Sequence, residues 1–145
     1  MAWPERSSWS LKGAPLDFVP AVSAWERCNR DGLLSYRPLF EQSLNANPAA
    51  VQRAIIPIEN TAADIILVAG GDDALWQSDV FALELSCRRE DYGMPVSLVV
   101  DSHAGHRILL PGENTPRSTL HAHGGSDEAD ARLGKAAWRE IVTLL

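Results

Sequence analysis

Near the middle of the chain runs the segment Ile65-Ile66-Leu67-Val68-Ala69-Gly70-Gly71-Asp72-Asp73, a continuous apolar run that ends in two glycines and two aspartates. Polar residues do not alternate with apolar ones here, as they do in a strand that has one face in water. A short, continuous apolar run closed by glycine is typical of a strand buried on both faces, as in a parallel sheet. We therefore predict a parallel strand over residues 64–69.

A helix and a second strand follow this first strand. Residues 76–89 carry apolar side chains at helical spacing, which predicts one apolar helix face made of Trp76, Val80, Leu83 and Cys87. Residues 96–100 form another short apolar run and predict a second strand. Strand, helix and strand make a βαβ unit, in which the crossover is right-handed and ligands bind beyond the carboxyl ends of the strands. Asp73 and His106 both fall at that end.

The chain before this unit divides into two predicted parts. Residues 1–20 mix Trp, Ser, Gly and Pro without a helical or strand period, so we expect an irregular, linker-like segment. Residues 21–60 are expected to form a helical lid or cap with short helices over residues 21–30, 38–45 and 48–53. The turn residues Asp31 and Gly32 would close the first helix, and Pro48 would begin the last.

Residues 61–145 form the third predicted part, the α/β portion that carries the candidate site residues. Its last helix is predicted over residues 126–145, with Ser126 as the N-cap and acidic residues in the first turn, where the helix dipole favours negative charge. We expect this helix to cover the sheet with an apolar side made of Leu133, Ala137, Ile141 and Leu144.

Composition excludes several classes of protein. A chain of 145 residues with 46% hydrophobic and 22% charged residues is typical of one globular domain. A net charge of -6 and scattered arginines argue against a nucleic-acid partner. No apolar stretch approaches the ~20 residues of a membrane helix, and the sequence from Met1 lacks the apolar run of a signal peptide, so we expect no membrane association and a cytoplasmic location.

The sequence indicates no metal and no cofactor. Cys28 and Cys87 fit neither a metal spacing nor a Cys-x-x-Cys redox pattern, and a free cysteine is usually a small buried hydrophobe. We expect Cys87 on the apolar side of its helix. Four histidines lie within a short stretch, at His103, His106, His121 and His123, but no zinc-site spacing such as His-Glu-x-x-His accompanies them.

Asp73 and His106 are the candidate catalytic residues. A carboxylate after a tight Gly-Gly turn can hold an imidazole, fix its tautomer and stabilise the imidazolium that forms during acyl transfer. Histidine suits the role of general base because its unperturbed pKa is ~6.5. Spacing alone leaves alternatives open, since Asp72 and Asp73 could be ordinary turn residues and His103 competes with His106.

Several blocks of the chain resemble the carboxy-terminal region of the acyl-CoA thioester hydrolase and bile acid acyltransferase family, an α/β-hydrolase group. Its members typically carry Ile-Pro-Val-Glu, which resembles Ile56 to Glu59 here. A strand and Gly-Glu-Asp-Asp follow in the family and resemble Ile65 to Asp73. The family's Trp-Pro-Ser resembles Trp76 to Ser78. The same family shows similar residues at further places: Trp9 to Leu16, Ala104-Gly105-His106, His123-Gly124-Gly125, Ala129-Asp130-Ala131 and Ala137-Trp138. The resemblance covers nearly the whole chain, with Gln77 in place of the usual proline.

The resemblance implies a fold, a substrate class and site residues. The fold would be α/β, a partial α/β-hydrolase fold with the last parallel strands and a helical lid, and a three-layer αβα sandwich when complete. The family's triad acid corresponds to Asp73 and its triad histidine to His106, and the substrate would be an acyl-CoA or another thioester or ester. Dienelactone hydrolases share this layout of strand, acid, strand and histidine.

The nucleophile of such a triad is missing. The chain contains no Gly-x-Ser-x-Gly or Gly-x-Cys-x-Gly, although the order in α/β-hydrolases is nucleophile, acid, histidine. Two parallel strands also leave open sheet edges. We therefore expect a fragment of a longer hydrolase that is inactive alone, or a chain whose edges are covered by self-association or by a partner chain. The alternative is a non-catalytic remnant that acts as an interaction or ligand-binding module, with an acyl-chain pocket lined by Trp25, Phe40 and Leu44.

Overall fold

The computed structural model describes residues 6–145. Its elements follow the chain in this order: β1 (Ser10–Leu11), β2 (Ala14–Pro15), β3 (Cys28–Arg30), β4 (Leu33–Ser35), α1 (Arg37–Ala46), α2 (Pro48–Arg53), a short 3₁₀ helix (Ile58–Asn60), β5 (Ile66–Gly70), α3 (Ser78–Asp91), β6 (Ser97–Asp101) and α4 (Asp127–Thr143). None of the helices within residues 6–145 has the length and apolarity needed to cross a membrane.

The parallel pair of β5 and β6 is the centre of the fold. Ile66 pairs with Ser97 and Gly70 with Asp101, so the two strands run in register over their whole length. α3 and α4 both pack against them. The predicted βαβ unit is confirmed, with each strand beginning and ending within two residues of its predicted bounds. The fold is therefore mixed α/β with a parallel pair of strands.

The tightest part of the core joins α4 to this pair of strands. Ala104, Ala129 and Leu133 are almost completely buried together, and Val68 of β5 and Val99 of β6 pack against them. Burying an aliphatic side chain stabilises a fold by about 1.5–3 kcal/mol. The helix that follows the last strand therefore holds the sheet together from one side.

The predicted apolar face of α3 is wrong. Leu83 is 54% exposed and Cys87 is exposed, whereas the buried positions of α3 are Ala82, Ser86 and Arg89. Trp76 and Val80, the other two members of the predicted face, are also exposed. The reason is Arg89, which is 1% exposed and points inward.

Arg89 turns the polar face of α3 inward because it satisfies backbone carbonyl groups. Its guanidinium donates hydrogen bonds of 2.9 to 3.2 Å to the carbonyl oxygens of Ile58, Thr61, Ala63 and Pro95. A carbonyl group without a partner is costly when it is buried, as that of Ile58 is, so one arginine that serves four carbonyl groups outweighs a regular apolar spacing. The small neighbours on this face let the helix approach closely.

The helix predicted over residues 21–30 is also wrong. Residues 28–30 form β3, which pairs with β4 across the turn of Asp31 and Gly32. Both turn residues have positive φ angles, 54° and 78°. An Asp-Gly pair in this conformation joins the strands of a two-residue hairpin, because its backbone twist matches that of the strands. Asp31 and Gly32 therefore close a hairpin and not a helix.

The other predicted helices of the lid region are confirmed. α1 begins one residue before the predicted start, and α2 begins at Pro48 as predicted. Of the predicted linker segment over residues 1–20, residues 1–5 lie outside the described residues, and β1 and β2 form a small hairpin within the remainder. The division of the chain at residues 20 and 60 stays a prediction.

The prediction for α4 is confirmed at its start and corrected at its end. The Ser126 hydroxyl accepts a hydrogen bond of 3.2 Å from the Ala129 N–H, as an N-cap does. Leu133 and Ala137 are buried as predicted. Leu144, however, lies beyond the last helical residue and is 51% exposed.

Candidate active site

Asp73 and His106 come together at the carboxyl ends of β5 and β6. Asp73 Oδ2 lies 3.0 Å from His106 Nδ1. The Asp73 side chain is 1% exposed, whereas that of His106 is 28% exposed. A buried carboxylate therefore faces one nitrogen of a partly exposed imidazole. If the Nδ1–H donates to Asp73, Nε2 is left to accept a proton.

The backbone after β5 fixes the Asp73 carboxylate. Its other oxygen, Oδ1, accepts hydrogen bonds from the N–H groups of Leu75 at 2.7 Å and Trp76 at 3.2 Å. Burial raises the pKa of Asp73, but hydrogen bonds from His106, the Leu75 N–H and Ser78 outweigh it, so this pKa lies below its ordinary value. Asp73 is consequently held in the ionised form that orients an imidazole.

The Asp72 carboxylate has partners other than the imidazole. It forms a two-point ion pair with Arg30, at 2.6 and 2.5 Å, and Oδ2 also accepts the Gly125 N–H at 3.0 Å. The Arg30 guanidinium is the main reason that the pKa of Asp72 is lowered, and the Gly125 N–H adds to the effect. The geometry thus distinguishes two adjacent aspartates that spacing alone left equivalent.

The segment around His123 joins the acid loop to the histidine loop. The His123 carbonyl oxygen accepts hydrogen bonds from the His106 N–H at 2.8 Å and the Ala74 N–H at 3.2 Å. Gly124 follows with a φ of 69°, and a Cβ at this position would lie 1.8 Å from the Asp72 carbonyl oxygen. Only glycine fits such a close approach of two backbones.

Aromatic rings surround the His106 imidazole. The Trp76 ring lies edge-on at 5.1 Å between centroids, and the His123 ring lies at 5.6 Å. The pKa of His123 is lowered by burial and then by the neighbouring His106, Arg107 and Arg117. A neutral His123 therefore packs against His106 without adding a second positive charge.

The other two histidines lie elsewhere. His103 is on the exposed turn after β6, where Nδ1 is 3.0 Å from the Ser102 hydroxyl. His121 packs edge-on against Tyr36 with ring centroids 5.1 Å apart. Within residues 6–145, no group of three or more His, Cys, Asp or Glu side chains is arranged to hold a metal ion.

The β3–β4 hairpin and the start of α1 support the acid loop from the other side. The Ser35 hydroxyl donates a hydrogen bond of 2.6 Å to the Ala74 carbonyl oxygen, and the Arg37 guanidinium donates one of 3.1 Å to the Asp73 carbonyl oxygen. These supports, like Arg30, are not predicted from the sequence. The signal that could have revealed them was the Asp31-Gly32 pair, because a hairpin there brings residues 28–35 back toward the sheet.

A mostly apolar cavity of about 840 Å³ borders α1, and neither Asp73 nor His106 lines it. Phe40 and Leu44 line it as predicted, together with Leu16, Phe18, Val19, Ile55, Ile56 and Phe81. Phe40 also contacts Trp76 edge-on at 5.8 Å, so rings lead from the cavity to His106. Trp25 is not among the lining residues and packs against Tyr36 instead, at 5.8 Å.

Comparison with known proteins gives a consistent set of similarities. The family model described as BAAT / Acyl-CoA thioester hydrolase C terminal matches residues 6–145. Acyl-coenzyme A thioesterase 6 of Mus musculus is 27% identical over 135 residues, which cover 87% of this chain and 31% of the relative. Acyl-coenzyme A thioesterase 1 of Homo sapiens is 28% identical over 100 residues, or 63% of this chain and 24% of the relative. The chain thus spans less than a third of the length of these relatives.

Proposed function

This chain belongs to the BAAT / acyl-CoA thioester hydrolase C-terminal family, and from that membership we propose that it supplies the acid and the histidine of an acyl thioester hydrolase. Acyl-CoA is the proposed substrate class, because the relatives are named acyl-coenzyme A thioesterases. The observation that carries the proposal is the 3.0 Å contact between Asp73 and His106 at the ends of parallel strands.

The proposed chemistry assigns one role to each member of the pair. Asp73 accepts the Nδ1–H of His106, which leaves Nε2 to take the proton of a serine or cysteine nucleophile as that nucleophile bonds to the thioester carbonyl carbon. Collapse of the tetrahedral intermediate breaks the carbon–sulfur bond, and the leaving thiolate receives the proton. A water molecule, deprotonated by the same imidazole, then hydrolyses the acyl-enzyme.

No Gly-x-Ser-x-Gly is present, and we propose that the nucleophile lies on a segment outside this sequence. We propose that a segment carrying it docks against the open edge of β5. Within the described residues β5 pairs with β6 alone. Val80 and Leu83 are exposed on α3, the helix that packs against β5. Exposed strand edges and apolar helix faces are normally covered in folded proteins. A complete molecule would then have a three-layer αβα fold, and the chain alone would be inactive.

The apolar cavity is the proposed site of the acyl chain. Its lining is mainly aliphatic and aromatic, and the Phe40 and Trp76 rings connect it with His106. The same cavity favours a second candidate function, a non-catalytic module that binds an acyl ligand or a partner chain. The two functions differ in whether thioester hydrolysis depends on His106.

We also propose a cytoplasmic location for this chain. One relative, from Homo sapiens, is named acyl-coenzyme A thioesterase 2, mitochondrial.

A chimera tests the proposal directly. The carboxy-terminal part of mouse acyl-coenzyme A thioesterase 6 is replaced by this chain, and hydrolysis of a long-chain acyl-CoA is measured for the chimera and for the isolated chain. We expect turnover by the chimera and none by the isolated chain. H106A should abolish turnover, whereas H103A, a change at an exposed turn, should leave it nearly unchanged. A folded chimera whose turnover survives H106A would contradict the proposal.

A further inference from the structure

Asp130 of α4 is a completely buried carboxylate, with 0% of its side chain exposed. Transfer of an ionised group from water into a protein interior is costly unless hydrogen bonds and opposite charges compensate it. Burial raises the pKa of Asp130 above its ordinary value, although a hydrogen bond from the Gly105 N–H and the charges of Arg117 and Arg107 act in the opposite direction. The partners of this carboxylate therefore indicate what it holds in place.

Asp130 contacts the residues on both sides of His106. Its Oδ1 accepts the Gly105 N–H at 2.8 Å, and its Oδ2 lies 3.7 Å from Arg107 Nε. The two neighbours of the imidazole-bearing residue are thus held by one side chain. His106 itself makes no contact with Asp130 and faces Asp73.

Arg117 completes this arrangement. One guanidinium nitrogen donates to Asp130 Oδ2 at 3.2 Å, and the same guanidinium donates to the carbonyl oxygens of Gly124 at 2.8 Å and Gly125 at 3.2 Å. Those glycines follow His123, whose carbonyl oxygen accepts the His106 N–H. Arg117 consequently connects the two segments that fix the backbone of His106.

The backbone here has no space to move without losing these contacts. A Cβ on Gly105 would lie 2.3 Å from the Gly124 carbonyl oxygen, and a Cβ on Gly125 would lie 2.0 Å from the Gly105 nitrogen. Because the two loops touch through their main chains, a shift at Gly105 is transmitted to His106 and its distance from Asp73. An imidazole displaced by about 1 Å can lose much of its effect on rate.

We propose that Asp130, paired with Arg117, is a positioning residue that fixes His106 against Asp73 by holding the Gly105 N–H. It acts through the backbone and touches no reacting atom. The inference rests on the proposed acid–base pair, and it adds a buried carboxylate and a loop arginine to the residues on which that pair depends.

The test is NMR spectroscopy of the ¹⁵N-labelled 145-residue chain. In the wild type, the His106 Nδ1–H is expected to give a downfield proton resonance that D73N removes. D130A should weaken or remove this resonance and speed exchange of the Gly105 amide proton by about tenfold or more, because the buried hydrogen bond from the Gly105 N–H to the Asp130 carboxyl is lost. D130N keeps an oxygen acceptor and should restore both signals toward those of the wild type.

The matched control is R132Q. Arg132 also belongs to α4, and its ion pair with Asp101 at the end of β6 does not involve Gly105. R132Q should leave the His106 resonance and Gly105 exchange unchanged. R117Q should weaken the His106 resonance as D130A does, which keeps the test valid if D130A does not fold.

The outcomes separate this inference from the proposed function. If folded D130A, or R117Q in its place, keeps the wild-type resonance, the positioning role is contradicted while the acid–base pair stands. The same conclusion follows if R132Q perturbs His106 as strongly as D130A does. A wild-type chain without the resonance would contradict the pair itself, and with it this inference.

Discussion

Arg30, on the β3–β4 hairpin, forms a two-point ion pair with Asp72, the residue directly before the candidate acid. The hairpin is therefore tied to the loop that carries Asp73, although 42 positions separate the two partners. The connection gives the amino-terminal part of the chain a role in holding the site.

Removal of this ion pair should weaken the fold modestly. Both side chains are more than a third exposed, so R30Q is expected to lower the free energy of unfolding by about 0.5–1 kcal/mol at neutral pH. The pKa of Asp72 is lowered in the folded chain, so the stabilisation is present above its unfolded pKa and is lost as the pH falls through the folded value. Urea unfolding of the wild type and R30Q at several pH values measures this difference in the free energy of unfolding. A difference that persists in strong acid would be inconsistent with the ion pair as its cause.

Glu59 offers a second test of pH dependence. Its ion pair with Arg88 lowers the pKa of the carboxyl from 4.5 to about 2. The pair therefore stabilises the fold above pH 4.5, and this contribution is lost as the pH falls toward 2. In thermal melts, the difference in melting temperature between wild type and E59Q should be largest above pH 4.5 and should disappear near pH 2. E26Q, at an exposed glutamate, is the control and should show no such trend.

Arg89 is expected to be essential for the packing of α3. R89M removes the donors that serve four carbonyl groups and should cost about 3 kcal/mol or more, because those groups are left without partners. R53M is the comparison, at an arginine whose side chain is 60% exposed, and should change stability little. Chemical unfolding measures the free energy of unfolding of both variants, and equal losses of stability would rule out the assigned role of Arg89.

Two glycines with similar φ angles allow a further comparison of stability between variants. Gly124 and Gly32 have φ of +69° and +78°, but a Cβ on Gly124 would lie 1.8 Å from the Asp72 carbonyl oxygen while one on Gly32 has nothing within 4 Å. G32A should cost only the strain of a positive φ, about 1 kcal/mol. G124A should cost more and also separate the acid loop from the histidine loop. Similar melting temperatures for the two variants would contradict the close approach.

The sequence was sufficient for the parallel strands and for the helices α1, α2, α3 and α4, although not for the inward face of α3. Continuous apolar runs predicted β5 and β6, a proline at the first helical position predicted α2, and Ser126 predicted the start of α4. These signals are local, so they can be recognised without knowledge of the neighbours.

The parts that could not be predicted depend on contacts between distant segments. The inward face of α3 is set by Arg89 and by carbonyl groups elsewhere in the chain, which no apolar spacing reveals. The supports of the candidate site, Arg30 and Asp130, are charged residues whose partners lie far away in sequence. Spacing also left Asp72 and Asp73 equivalent, and the choice between them came from the family resemblance.

Asp73 is proposed to orient His106 for acyl transfer, and the adjacent aspartate provides the control. In the chimera with mouse acyl-coenzyme A thioesterase 6, kcat for a long-chain acyl-CoA is measured for D73N and D72N. D73N should reduce kcat by about 10⁴-fold, because the amide favours the wrong imidazole tautomer. D72N should reduce it by less than about tenfold, since Asp72 contacts Arg30 and Gly125 rather than the imidazole. Equal losses for the two variants, or full activity of D73N, would contradict this role of Asp73.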